Sequence, residues 1–357
     1  MKRQGVVALW LIGLILAAGL AGCSLFGPGT SAVIRVDTAE GTVPLTIAFD
    51  GTDSTGTDGI STYRWQFGTG DESYEPSGTY TYESAGTFTL SLTIRAEDGK
   101  TVTETVSIVV RPAMWITDGN LDRVYRLSLD GSLLGTFDLP AKEPRGVTIA
   151  TVNGQTTLVL SCANEGFQKI VCLDPVTGAL RQMKDAPAQS PQEITYGATG
   201  QRMLWLVDGQ SRMIYRMNPD SAQVFDAYGQ TYFKATSPQV TNVPFLRTPE
   251  GLDWVAVENA PGLLYYLEGD THVLWKITII PGYDLMANTQ LRVEGPGVEL
   301  PAGLFPVSAI DIVDGRLWAI DVDRHRVVEM DLATGVPTGN EITGFPGAAP
   351  AGLEIQF

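Results

Sequence analysis

One pattern recurs through the C-terminal two-thirds of the chain, and it restricts the fold more than any other feature. An acid or amide stands at Asp118, Asn164, Asp208, Glu268 and Asp321. An aliphatic residue follows six positions later each time, at Val124, Ile170, Ile214, Leu274 and Val327. Another comes three further on, at Leu127, Leu173, Met217, Ile277 and Met330. Three positions before the anchor stand Trp115, Ser161, Trp205, Tyr265 and Trp318. Each copy reads as strand, tight polar turn, strand, and then leads to a strand headed by Pro144, Pro191, Pro249, Pro306 or Pro350.

The anchors lie 46, 44, 60 and 53 residues apart. A period of roughly 45 residues with about four short strands per unit indicates a β-propeller. The first unit begins at its second strand, Met114 to Thr117, and the chain ends on an orphan first strand, Gly352 to Phe357. Pairing these two would seal the ring and remove free edges. The count is five blades, or six if 228–248 and 280–305 hide a divergent one. The motif P-x-G-φ…φ-W-φ-φ-D…T-G resembles NHL- and YVTN-type repeats, and also the regucalcin–gluconolactonase and virginiamycin-lyase propellers. That likeness covers nearly all of 114–357 and implies an architecture more than an activity.

Ahead of it, residues 31–111 carry five or more short alternating segments in about 80 residues, which suggests a β-sandwich. Val43-Pro44-Leu45-Thr46-Ile47-Ala48-Phe49, Tyr63-Arg64-Trp65-Gln66-Phe67 and Tyr80 to Ile94 resemble the PKD domain, an Ig-like sandwich. The resemblance implies a buried Trp65, a tyrosine corner at Tyr82, and a spacer or a protein- or polysaccharide-contacting role. Gln66 and Thr69 replace the two acids of the family's usual W-D-F-G-D-G loop. Asp50, Asp53 and Asp58 read as turn residues, because they lack a calcium-loop register. The chain is therefore expected to be all-β, an Ig-like sandwich followed by a propeller at 112–357. Only Arg111-Pro112-Ala113 separates the two, which restricts their relative motion.

The N-terminus reads as a secretory signal over 1–22: Lys2-Arg3, an apolar run from Val6 to Ala21, then small residues. The run is shorter than the ~20 residues a spanning helix needs. Leu20-Ala21-Gly22-Cys23 resembles the lipobox of bacterial lipoproteins, which implies lipidation of Cys23 and a tether over 23–30. Ser24 after the cysteine implies outer-membrane sorting in a Gram-negative cell. The net charge of −16 disfavours nucleic acid and adhesion to anionic lipid. Membrane attachment would then rest on the N-terminal lipid. With Cys23 acylated, Cys162 and Cys172 remain as a candidate disulfide in an oxidising compartment.

The search for chemistry yields little. There is no nucleophile elbow, zincin helix, C-x-x-C or Walker loop. His272 and His325 both fall in turns after the anchors. The anchor acids recur in every unit, which signals turn chemistry. Non-repeating residues at repeated positions are better ligand candidates. After each blade's proline come Arg145, Gln192, Glu250, Val307 and Ala351, and further along the same strands Thr148, Thr195, Asp253, Asp311 and Glu354. Arg145, Gln192, Glu250, Asp253, Asp311 and Glu354 are the candidate ligand-binding set, and its carboxylates could hold a cation such as Ca2+. The alternative is that they only wet a water-filled channel. The lactonase-like metal set, with Asn in P-N-G turns, is missing.

The leading expectation is a lipid-anchored envelope protein whose PKD spacer presents a propeller to a protein or glycan. A metal-dependent hydrolase or lyase in the channel and a structural envelope-assembly component are the alternatives.

Overall fold

The computed structural model describes residues 29–357 apart from 165, 198–201, 229–248, 258–261, 281–289 and 305. The signal-peptide and Cys23 expectations lie outside the described residues.

The first domain is a sandwich of two sheets. Strands β1 (Arg35–Val36), β2 (Glu40–Thr42), β3 (Leu45–Asp50), β4 (Ile60–Gln66), β5 (Glu72–Ser73), β6 (Ser77–Tyr82), β7 (Gly86–Ala96) and β8 (Thr101–Arg111) build it. The smaller sheet has the order β1-β3-β6 and the larger β2-β8-β7-β4-β5. Alternation decides which face is inward. In β7, Leu90, Leu92 and Ile94 are fully buried. An aromatic cluster fills the gap between the sheets, with ring centroids 4.8 Å apart for Phe49 and Trp65 and 4.7 Å for Tyr82 and Phe88. Trp65 Nε1 donates to the Glu75 carbonyl at 3.0 Å, and Tyr82 donates to the Phe67 carbonyl at 3.2 Å. Both buried rings thus satisfy their polar handles. Asp50 accepts from the Thr52 N–H at 2.8 Å, as a turn residue does. Gln66 and Thr69 are held by Glu72 at 3.1 Å and Tyr80 at 2.7 Å.

Pro112 alone separates β8 from β9 (Ala113–Asp118). With β10 (Arg123–Ser128) and β11 (Leu133–Asp138), β9 forms three-quarters of the first blade. The second blade is β12 (Pro144–Val152), β13 (Gln155–Asn164), β14 (Phe167–Leu173) and β15 (Leu180–Asp185). The third is β16 (Pro191–Gly197), β17 (Met203–Asp208), β18 (Met213–Met217) and β19 (Val224–Tyr228). The fourth is β20 (Pro249–Val255), β21 (Leu263–Glu268), β22 (Val273–Ile280) and β23 (Gln290–Glu299). The fifth is β24 (Val307–Val313), β25 (Arg316–Asp321), β26 (Arg326–Asp331) and β27 (Pro337–Thr343). The last strand, β28 (Pro350–Gln356), pairs antiparallel with β9, Leu353 opposite Ile116, and completes the first blade.

The innermost strands β12, β16, β20, β24 and β28 pack each beside the next, and β28 beside β12. Among the described residues that closed circuit contains five blades. Burial grades outward. Second strands are covered on both faces by adjacent blades, so Met114-Trp115-Ile116 and Met203 to Val207 are continuous buried runs. Fourth strands face solvent, and Leu180 to Asp185 shows it.

Cys162 and Cys172 do not form the expected disulfide; both are buried free thiols. Cys162 lies opposite Lys169, and Cys172 opposite Val159. Val159 and Cys162 are three residues apart on one strand, so the two thiols sit on opposite faces of the blade. Cys162 accordingly packs with the first-blade residues Val124 and Phe137, and Cys172 with the third-blade residues Leu204 and Leu206.

Candidate functional site

The anchor acids are consumed by turns. Asp118 accepts from the N–H groups of Asn120 and Leu121 at 2.9 and 3.0 Å, and from Ala348 at 2.7 Å. Asp208 accepts from the Gln189, Ser190 and Gln210 N–H groups at 2.9, 2.8 and 3.1 Å. Asp321 takes the Arg326 Nε at 2.9 Å, and Glu268 takes the Thr271 hydroxyl at 2.6 Å. In the second blade the ladder shifts the alignment. Asp208 stands opposite Pro191 and Asp118 opposite Pro350, but Cys162 stands opposite Pro144. Cys162 therefore occupies the anchor position, and Asn164 lies two residues further out, in a tighter hairpin that closes on Phe167. His272 and His325 sit at positive φ, 59° and 47°, in the turns after their anchors.

Three buried carboxyls, the half-buried Glu354 and two threonines form a belt inside the ring, and the belt crosses every seam between inner strands. On β20, Asp253 accepts from Ile312 N–H of β24 at 2.8 Å. On β24, Asp311 accepts from Ile355 N–H of β28. On β28, Glu354 faces the Ile149 N–H and the Thr148 hydroxyl of β12, and both favour its charged form. The β12–β16 seam is closed by Glu193 of β16, which accepts from Val147 N–H at 3.2 Å. The β16–β20 seam is closed by Thr195, which accepts from Trp254 N–H at 3.1 Å and donates to Asp253 at 2.9 Å. Burial pushes Asp253 up to about 7 and Glu354 up to about 8. Burial also raises Glu193 and Asp311 well above the carboxylate range, and the neighbouring Asp253 adds to the rise at Asp311.

The belt bears directly on the calcium expectation. Its carboxyls stand one per strand, each turned to the next strand's backbone, so they do not converge as a cage. Among the described residues no three histidine, cysteine or carboxylate groups are arranged to hold a metal. Glu193 was not among the sequence candidates. Its signal was present in Pro191-Gln192-Glu193-Ile194, where three other blades have glycine in place of Glu193. Those glycines lie where inner strands approach closely. A Cβ on Gly146 would stand 2.5 Å from the Glu193 carboxylate, and one on Gly352 would meet the Arg145 carbonyl.

At one end of the ring a cavity of about 730 Å3 opens, lined by all five blades. Every inner strand has a register shift just after its first residue. Such bulges re-aim side chains out of the ladder. Arg145, Gln192, Glu250 and Ala351 accordingly line this mouth. In the fifth blade Val307, not Pro306, lies opposite the anchor Asp321, so Ser308 and not Val307 is the true counterpart of these residues. Val307 also lines the mouth, together with Asn120, Ser190 and Gln210. Asp253, Asp311 and Glu354 do not line it and belong to the belt. The six sequence candidates thus separate into a mouth set and a belt set.

Gln192 is held by the Ser190 hydroxyl at 3.1 Å. Arg145 faces Glu143 at 3.7 Å. Glu250 packs on Gly269, where a Cβ would meet its carboxyl. Burial, and then the nearby Asp270, push Glu250 up to about 7. Glu250 Oε2, Ser308 Oγ and Arg145 Nε are buried and without hydrogen-bond partners.

Residues 32–110 match the PKD domain family, and the first domain is a PKD domain. No curated protein matches the chain. Among solved structures, the PKD1 domain of the Vibrio cholerae metalloprotease PrtV is 28% identical over 22% of this chain and 93% of its own, with a TM-score of 0.20. The β-propeller domain of Cps50 (Swd1) from Myceliophteria thermophila is 10% identical, covering 74% of this chain and 82% of its own, with a TM-score of 0.39. A chain of a nidogen/laminin complex is 16% identical, covering 69% of this chain and 98% of its own, with a TM-score of 0.48.

Proposed function

We propose that this chain is a lipid-anchored cell-envelope binding protein, in which the PKD domain holds the propeller and the propeller mouth engages a partner. The carrying observation is the division of polar residues. The repeated acids bond within their turns, and Glu193, Asp253 and Asp311 bond across the belt. Among the described residues the mouth gathers three non-repeating polar groups, Arg145, Glu250 and Ser308, each with a buried atom that lacks a partner, around one cavity. Such an unpaired set in a concave site is what a ligand satisfies. The lipobox-like Leu20-Ala21-Gly22-Cys23 supports attachment through Cys23, with an outer-membrane address in a Gram-negative cell.

Two experiments test this. A photocrosslinking side chain at Gln210, in the mouth, should give a discrete adduct in the native envelope, identified by mass spectrometry. The same probe at Lys100, in the PKD hairpin, should not give that adduct. Absence of any Gln210 adduct removes the mouth as a binding site. Cys23→Ser should abolish fatty-acid labelling; normal labelling of that variant removes the anchor.

A further inference from the structure

The mouth contains one acid that the protein itself leaves unanswered. Glu250 Oε2 is buried and accepts from no donor. Arg145 makes no hydrogen bond to it and lies instead 3.7 Å from Glu143. The carboxyl lies on Gly269, at a position any side chain there would invade. Leaving such a group unpaired costs stability. A scaffold that holds it there is organised for an incoming partner.

We infer that the mouth takes up the cationic head of a lysine or arginine side chain from a partner protein, with Glu250 as its counter-charge. This rests on the binding reading above and names the occupant. The walls fit the stem of such a side chain: Val307, Val322, Pro306, Pro350 and Ala351 are small and aliphatic. Ser308 Oγ, also unpartnered, can accept a second hydrogen bond from the cation. Among the described residues that line the cavity none is aromatic, so these residues give a sugar ring no stacking platform. The charge of −16 steers basic partners toward the protein and repels acidic ones.

The test uses the whole protein and three small probes: the N-acetyl methylamides of lysine, norleucine and glutamate. Binding is read by NMR titration of the mouth amides. The lysine probe should bind at least tenfold tighter than norleucine, weaken as salt rises, and lose that preference in Glu250→Gln. The glutamate probe should not bind. Equal binding of the lysine and norleucine probes by the wild type, or binding of the glutamate probe, overturns the proposal without any variant. A Gln210 adduct that survives Glu250→Gln unchanged leaves the mouth a binding site but also overturns the cationic occupant.

Discussion

Arg126 Nη2 donates to the Val43 carbonyl at 2.9 Å, across the boundary between the PKD domain and the propeller. The same nitrogen reaches the Thr42 hydroxyl at 2.9 Å, and the guanidinium lies 5.7 Å from the centroid of Trp115. A second tie runs from Gln356 Nε2 to the Glu83 carbonyl at 2.8 Å. The connection at Pro112 is too short to let the domains move apart freely, and Arg126 fixes the angle. Arg126→Ala should cost roughly 1.5–3 kcal/mol, the range for a hydrogen bond to a charged group. We expect a lower melting temperature and faster proteolysis near Pro112. A variant with wild-type melting and protease resistance would show that the contact is dispensable.

Gly352 should not tolerate a side chain. A Cβ there meets the backbone carbonyl of Arg145 on the adjacent inner strand, and backbone cannot rotate aside. Gly352→Ala is expected to destabilise the propeller by about 1–3 kcal/mol, as overpacking does. Gly303 has nothing near its Cβ position, so Gly303→Ala serves as the control and should melt with the wild type.

The carboxyl belt makes stability depend on pH, and the direction follows from the raised values. Asp253 at about 7 and Glu354 at about 8 hold protons in the folded chain that the unfolded chain has released. The unfolded state therefore binds fewer protons between the ordinary carboxylate range, about 4, and about 8, and stability falls as pH rises through that window. Below pH 4 the contribution is flat, and above about 8 the loss is complete. Asp311→Asn keeps an acceptor for Ile355 N–H and removes one ionisable member. Its melting temperature should fall less between pH 5 and pH 9 than that of the wild type. Glu97→Gln, on the PKD surface, controls for net charge and should leave the slope unchanged. An unaltered slope in Asp311→Asn would separate the belt from the pH dependence.

Cys162 and Cys172 should both alkylate in denatured, unreduced protein, and neither should do so quickly in the native state. Burial pushes the Cys162 thiol up to about 12 and raises Cys172 as well, so neither supplies a reactive thiolate at neutral pH. Peptide mapping that finds either site blocked would reinstate a bridge.

The architecture was legible in the sequence because it rests on repetition. Asp118, Asp208, Glu268 and Asp321 recur as turn acids, and the orphan strand of Gly352 to Phe357 does close the ring on Met114 to Thr117. Register was not legible. A spacing of residues cannot show that the second blade's hairpin closes tightly at Asn164 and Phe167, and so Cys162 was read two positions out of place. In the fifth blade the pairing opposite Asp321 begins at Val307 and not at the proline, which likewise moved the mouth position from Val307 to Ser308. The belt was half visible: its polar slots were evident, but their use as bonds between strands depends on how near the backbones come. Only the glycines of Pro144-Arg145-Gly146 and Pro350-Ala351-Gly352 hinted at that approach.

Glu250 should trade stability for binding. Its carboxyl is raised to about 7 by burial first and by Asp270 second, so the folded chain resists ionising it, while the unfolded chain ionises it in the ordinary range. Above pH 7 that resistance is a full cost to the fold; near pH 4 both states are protonated and the cost vanishes. Glu250→Gln keeps the shape and the packing on Gly269 but removes the charge. It should therefore melt higher than the wild type at pH 8 and equally at pH 4. The same variant should lose the preference for a lysine side chain, since the energy stored in the unpaired carboxylate is what a cation recovers. Greater stability at pH 8 with undiminished lysine binding would mean that the charge is a defect of the fold and not its purpose.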